Sequence, residues 1–113
     1  MEEFILYNKE KRLYLYAEKY IFGNVPKVHL ALKIKLENSL FNIIELTIKA
    51  NINRGNIRKK YINDLLCEIY LADFYIGMFR TKKIIEIKRY NSFLNALGEI
   101  KKLTLGWIKS EEK

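Results

Sequence analysis

Few residues in this chain have the type and spacing for acid–base, nucleophilic or metal chemistry. The one histidine, His29, has Glu37 as its nearest local carboxylate, eight residues away. A general base needs a partner within hydrogen-bond reach, so His29 reads as a surface histidine. The one cysteine, Cys67, has no basic residue nearer on its helical face than Lys60. A thiol without a cationic neighbour stays protonated and unreactive, so Cys67 reads as a buried structural thiol. One Cys and one His cannot complete a structural zinc site. No Glu-x-x-His pair is present to hold a di-iron centre, and neither a P-loop nor a GxGxxG motif occurs. The expectation is a protein with no catalytic residues, no metal and no cofactor, and therefore not an enzyme.

What the chain does hold is positive charge. Its 113 residues carry 21 Lys+Arg against 13 Asp+Glu, a formal net charge of +8. The cations cluster. Arg54, Arg58, Lys59 and Lys60 surround one polar segment, Lys82, Lys83, Lys88 and Arg89 surround another, and Lys101 and Lys102 follow. Such groups neutralise phosphates and release condensed counterions, which gives affinity for RNA or DNA without reading sequence. These residues are the candidate nucleic-acid contacts. Tyr61 and Tyr90 stand beside them and have rings that could stack on bases. Both also lie on apolar stripes, where core packing is the simpler role.

Those residues must be positioned by helices. Breaks fall at Gly23-Asn24-Val25-Pro26, at the polar run from Asn51 to Asn56, and around Arg80 to Ile85. Gly and Asn suit a helix C-cap, and a Pro just beyond cannot continue the helix. The third break holds neither Gly nor Pro and is placed by the polar run Thr81-Lys82-Lys83. Between breaks, apolar residues recur at helical spacing. The stripes are Leu13, Tyr16, Ala17, Tyr20 and Ile21; then Val28, Leu32, Leu36, Leu40, Ile43, Leu46 and Ala50. Tyr61, Leu65, Ile69, Ala72, Ile76 and Phe79 form the third, and Tyr90, Phe93, Leu94, Leu97, Ile100, Thr104 and Trp107 the fourth. The segments are too long for strands. The expected fold is a single all-α domain over 1–113, an antiparallel up-down four-helix bundle with helices at about 8–22, 27–51, 56–79 and 86–110. Residues 1–7 are expected to form an arm. In this topology the two basic turns lie at opposite ends.

The second and third helices carry extra apolar strips. Phe41, Ile44 and Ile48 with Leu71, Phe74 and Met78 are expected to form one exposed patch, the candidate oligomer interface. No apolar run reaches the ~18 residues of a membrane helix. The acidic start, Met1-Glu2-Glu3, lacks the basic region of a signal peptide. A cytoplasmic protein with no membrane contact is expected.

Several stretches resemble a known family. Ile84-Ile85-Glu86-Ile87-Lys88-Arg89-Tyr90, Leu97-Gly98-Glu99-Ile100 and above all Gly106-Trp107-Ile108-Lys109-Ser110 are similar to the C-terminal half of Avd-like proteins. These are the accessory variability proteins of diversity-generating retroelements, in a four-helix-bundle family that includes the proteins of ribosomal-RNA intervening sequences. Pro26, Ala50-Asn51 and Arg58 also look similar, so the resemblance runs from about Pro26 to Ser110. It implies a homopentameric barrel that binds template RNA or cDNA and associates with a reverse transcriptase, supporting mutagenic reverse transcription without catalysing it. Third helices of that family often carry Arg and Lys before the 3–4 turn, whereas here Leu71 to Phe79 holds no basic residue. The alternative is a four-helix adaptor that binds only protein.

Overall fold

The computed structural model describes residues 2–112. Four helices pack against one another: α1 (Glu2–Tyr20), α2 (Leu30–Ile52), α3 (Gly55–Thr81) and α4 (Ile87–Glu111). Two short 3-10 turns, Phe22–Asn24 and Lys27–His29, join α1 to α2. The molecule is elongated, 45 × 23 × 20 Å, as helices of this length side by side require. Cross-helix contacts fix the directions. Ser39 of α2 meets Glu68 of α3, and Arg58 at the start of α3 meets Ala50 near the end of α2. Lys9 of α1 meets Glu99 of α4, and Glu10 of α1 meets Thr47 of α2. Each helix therefore runs opposite to its neighbours in the chain, and α1 closes the bundle against α4.

The core follows the predicted stripes. Leu13, Ala17 and Ile21, then Leu36, Leu40, Ile43 and Ala50, are buried. So are Leu65, Ile69, Ala72, Ile76 and Phe79 on α3, and Phe93, Leu97, Ile100, Thr104 and Trp107 on α4. Tyr61 and Tyr90 are half-buried and pack against this core. Three details differ from expectation. The segment read as an arm is helical from Glu2 onward, and its Leu6 is buried. Val28 is 83% exposed rather than core. Pro26 is followed by a 3-10 turn, which tightens the chain to three residues per turn and takes Val28 out of phase with α2. Tyr20, placed on the core stripe, is 43% exposed, because it lies on the flank of the α1 stripe whose centre is held by the buried Leu13, Ala17 and Ile21.

The third break is resolved by backbone hydrogen bonds. The Ile84 N–H donates to the Phe79 carbonyl at 2.9 Å, and the Lys83 N–H donates to the Arg80 carbonyl at 3.0 Å. This pattern is a Schellman cap, whose turning residue adopts a left-handed conformation that Gly usually supplies. Here Lys83 supplies it, with φ 58°. The Arg80 guanidinium donates to the Ile85 carbonyl at 3.1 Å and braces the same turn. Glycine takes a left-handed conformation at one position, Gly55, which opens α3 with φ 63°.

The core also holds a carboxyl. Glu10 is 2% exposed on α1 and accepts a 2.6 Å hydrogen bond from the Thr47 hydroxyl. Its other oxygen, Oε1, has no partner among the described residues. Burial raises its pKa from the ordinary 4.5 to about 8, and the Thr47 hydrogen bond offsets only part of that rise. A buried carboxylate without a cation is costly, so the group stays neutral instead.

Candidate nucleic-acid interface

The antiparallel order sorts the cations into two ends. At one end the α2–α3 turn meets the C-terminus of α4, and Arg54, Arg58, Lys59 and Lys60 gather there. At the other, the α1–α2 connection meets the α3–α4 turn. Lys82, Lys83, Lys88 and Arg89 gather at that end, joined by Lys19 in the last turn of α1 and by Lys27. The separation read from the sequence is what the structure holds. The chemistry of the two ends differs in a way the sequence did not reveal.

At the first end two of the four cations, Arg58 and Lys60, are engaged. The Arg58 side chain is 19% exposed. Its Nε donates to the Ala50 and Asn53 carbonyls at 2.9 and 2.7 Å, and its Nη2 donates to the Asn51 carbonyl at 3.0 Å. Its Nη1 lies 3.7 Å from a Glu111 carboxylate oxygen on α4. The last carbonyls of a helix lack intrahelical partners, and Arg58 satisfies those of α2. This guanidinium is a structural cap, and so a poor candidate for the phosphate contact expected of it. Lys60 donates to Asp64 at 3.0 Å, and that hydrogen bond raises its pKa. Lys59 borders a small cavity of about 90 Å³ with Glu111 and Glu112. Arg54 and Lys59 are exposed, and neither forms an ion pair among the described residues.

The second end is different. Among the described residues, no carboxylate forms an ion pair with Lys82, Lys83, Lys88, Arg89, Lys19 or Lys27. Lys82, Lys83 and Lys88 are exposed. Arg89 is half-buried because its guanidinium lies over the Tyr20 ring, 4.3 Å from the centroid. Lys19 lies over the same ring at 5.2 Å, and the Tyr16 ring is 5.0 Å from that of Tyr20. Tyr16, Tyr20, Glu86, Lys88, Arg89 and Ser92 line a groove of about 380 Å³ between α1 and α4. Of the remaining predicted contacts, Lys101 sits over the Tyr70 ring at 4.5 Å, midway along the bundle. Lys102 is exposed on α4.

The apolar strips do not merge into one patch. On α3, Leu71 and Phe74 point outward, Phe74 being 60% exposed, and Met78 is half-buried beside them. On α2, Phe41 and Ile48 are exposed and Ile44 is half-buried. Phe41 leans toward α1, its ring centroid 4.7 Å from that of Tyr14. Between the strips runs a largely polar groove of about 380 Å³ lined by Asn42, Glu45, Lys49, Asp64 and Glu68, with Leu46 and Cys67 at its wall. The molecule thus presents two separate apolar faces. Cys67 lies on the outward strip of α3 and is exposed, not buried as expected. Its spacing from Leu71 and Phe74 places it opposite the core stripe, and that spacing overrides the burial usual for its residue type.

Among the described residues, no group of His, Cys, Asp and Glu is arranged to hold a metal ion, and no helix is long and apolar enough to cross a membrane. Comparison with protein-family models, with curated proteins and with solved structures finds no match for this chain.

Proposed function

We propose that this protein is a nucleic-acid-binding accessory subunit of the Avd type, an oligomer that holds template RNA or cDNA and supports a reverse transcriptase without catalysing the chemistry. The observation that carries the nucleic-acid part is the end of the bundle where Lys19, Lys82, Lys83, Lys88 and Arg89 converge and, among the described residues, form no ion pair with a carboxylate. A concentrated patch of one sign draws a polyanion and leaves its phosphates free to displace counterions. The polymerase partner and the pentameric ring rest on the family resemblance of the Gly106-Trp107-Ile108-Lys109-Ser110 region. Two apolar faces on different sides of one chain suit head-to-tail association, in which the α3 face of one copy meets the α1–α2 face of the next and the rotation closes a ring. A cytoplasmic setting belongs to the same reading.

The exposed strips also favour a second reading, an adaptor that uses them to bind another protein and makes no nucleic-acid contact. One experiment separates the two. Light scattering is recorded with and without a structured RNA at about 50 and 200 mM salt, the range over which phosphate contacts lose most of their affinity. A ring of about five chains that binds RNA at low salt and releases it at high salt supports the accessory subunit. Glu substitution at Lys82, Lys83, Lys88 and Arg89 together should then weaken binding to all sequences and flatten the salt slope. A monomer indifferent to RNA refutes it in favour of the adaptor.

A further inference from the structure

Aromatic rings and cations meet repeatedly on this surface. Lys or Arg groups lie over the rings of Tyr7, Tyr20, Tyr61 and Tyr70. In a chain of 113 residues one or two such pairs are ordinary, at roughly one per 70–80 residues. Tyr61 also has two cations over its ring, Lys60 at 5.4 Å and Lys49 at 5.9 Å, but is half-buried, and Tyr70 is exposed but has one, Lys101. Tyr20 combines the two features: it is 43% exposed and has Arg89 at 4.3 Å and Lys19 at 5.2 Å over its ring. It opens onto the α1–α4 groove, whose volume of about 380 Å³ lies at the lower end of the roughly 300–1,000 Å³ span of small-molecule sites. The groove belongs to the end of the bundle where, among the described residues, the cations form no ion pairs.

We infer that the Tyr20–Arg89 groove is a binding site for an unpaired nucleotide of a single-stranded nucleic acid, an inference that deepens the nucleic-acid reading above and rests on it. The base stacks on the Tyr20–Arg89 pair. Aromatic rings and guanidinium planes are the surfaces on which unpaired bases are held, and stacking of this kind tolerates any base. The Tyr16 ring, 5.0 Å from Tyr20 at an interplanar angle of 47°, lines the same groove and extends its aromatic wall. Lys19 and Lys88 take the flanking phosphates. Glu86 lines the same groove. Its carboxylate repels a phosphate and accepts hydrogen bonds from exocyclic amino groups, so the base and not the backbone faces it. A duplex cannot use this site, because its bases are already stacked on one another. It can meet only the surrounding lysines.

The test is fluorescence anisotropy with a labelled single-stranded RNA 12-mer and the same sequence as a duplex, on the wild-type chain, Tyr20→Ala, Tyr20→Phe and Arg89→Lys. Tyr20→Ala should weaken single-strand binding roughly 5- to 100-fold and leave duplex binding and its salt slope unchanged. Tyr20→Phe keeps the ring and should bind as the wild type does. Arg89→Lys keeps the charge but loses the plane, and should fall between. Tyr20 is exposed, and an unchanged melting temperature for each variant separates site loss from unfolding. Equal single-strand affinity for wild type and Tyr20→Ala overturns the site while leaving the nucleic-acid reading intact. So does an equal loss on both ligands. A wild-type chain that binds neither RNA overturns both.

Discussion

Replacing Glu10 with Gln should make the fold markedly less sensitive to alkali, and the size of the effect can be worked from the structure. The Glu10 carboxyl is 2% exposed, and its pKa is raised to about 8 from 4.5. Between those values the folded chain holds a proton that the unfolded chain has released, so folding stability falls as pH rises. The contribution of the neutral carboxyl is complete below pH 4.5 and is lost as pH climbs through 8. One pKa unit corresponds to about 1.4 kcal/mol, so the step from pH 5 to pH 8 removes about 3 kcal/mol. At about 4 °C per kcal/mol for a domain of this size, the melting temperature should drop by about 12 °C over that range. Gln cannot ionise, and its carbonyl still accepts from Thr47. The Glu10→Gln variant should therefore show only the share of the decline that belongs to other groups. It should overtake the wild type in stability as pH rises toward 8. The assay is thermal melting followed by circular dichroism for both chains from pH 5 to pH 8.5. Parallel melting curves across that range would show that Glu10 titrates normally and that the buried-carboxyl reasoning is wrong.

Two other outcomes follow from the turns. Arg58→Met keeps the aliphatic stem but leaves the Ala50, Asn51 and Asn53 carbonyls without their charged donor; it should destabilise the fold by about 2 kcal/mol, measured by urea titration. Lys83→Gly replaces a residue held at φ 58° by one that adopts that conformation freely, and the melting temperature should rise by an amount equal to about 1 kcal/mol.

The helices and most of the core could be read from spacing because burial repeats with the helical period. Ile43, Ala50, Leu65, Ile69 and Phe93 are each apolar at the expected register. The same spacing also marks Glu10, which falls between Leu6 and Leu13 on the α1 stripe, and Thr47, which falls between Ile43 and Ala50. Reading by residue type passed over both. The start of α1 was missed for a related reason: two leading glutamates hide the fact that Leu6 already belongs to the stripe. The two basic clusters are nearly equivalent as strings of letters. What distinguishes them is tertiary. Glu111 lies 53 positions from Arg58 in the chain yet meets it across the bundle, and no local pattern reports that one cluster is braced and the other open. The exposed Tyr20 ring lies on the flank of the α1 stripe, beside the buried Ala17 and Ile21, where apolar type alone does not separate rim from core.

The place of Cys67 gives the α3 face a redox signature. The chain contains one cysteine, and it is exposed on the outward strip with Leu71 and Phe74. If two copies meet symmetrically through their α3 faces, their thiols lie near each other, and mild oxidation joins them as a covalent pair. If copies meet head to tail, each Cys67 instead faces the α1–α2 surface of the next chain, which offers no second thiol to pair with. The oxidised protein then stays as single chains on a non-reducing gel, however large the assembly is in solution. The order in which copies of the chain face one another is thus written in its sulfur chemistry.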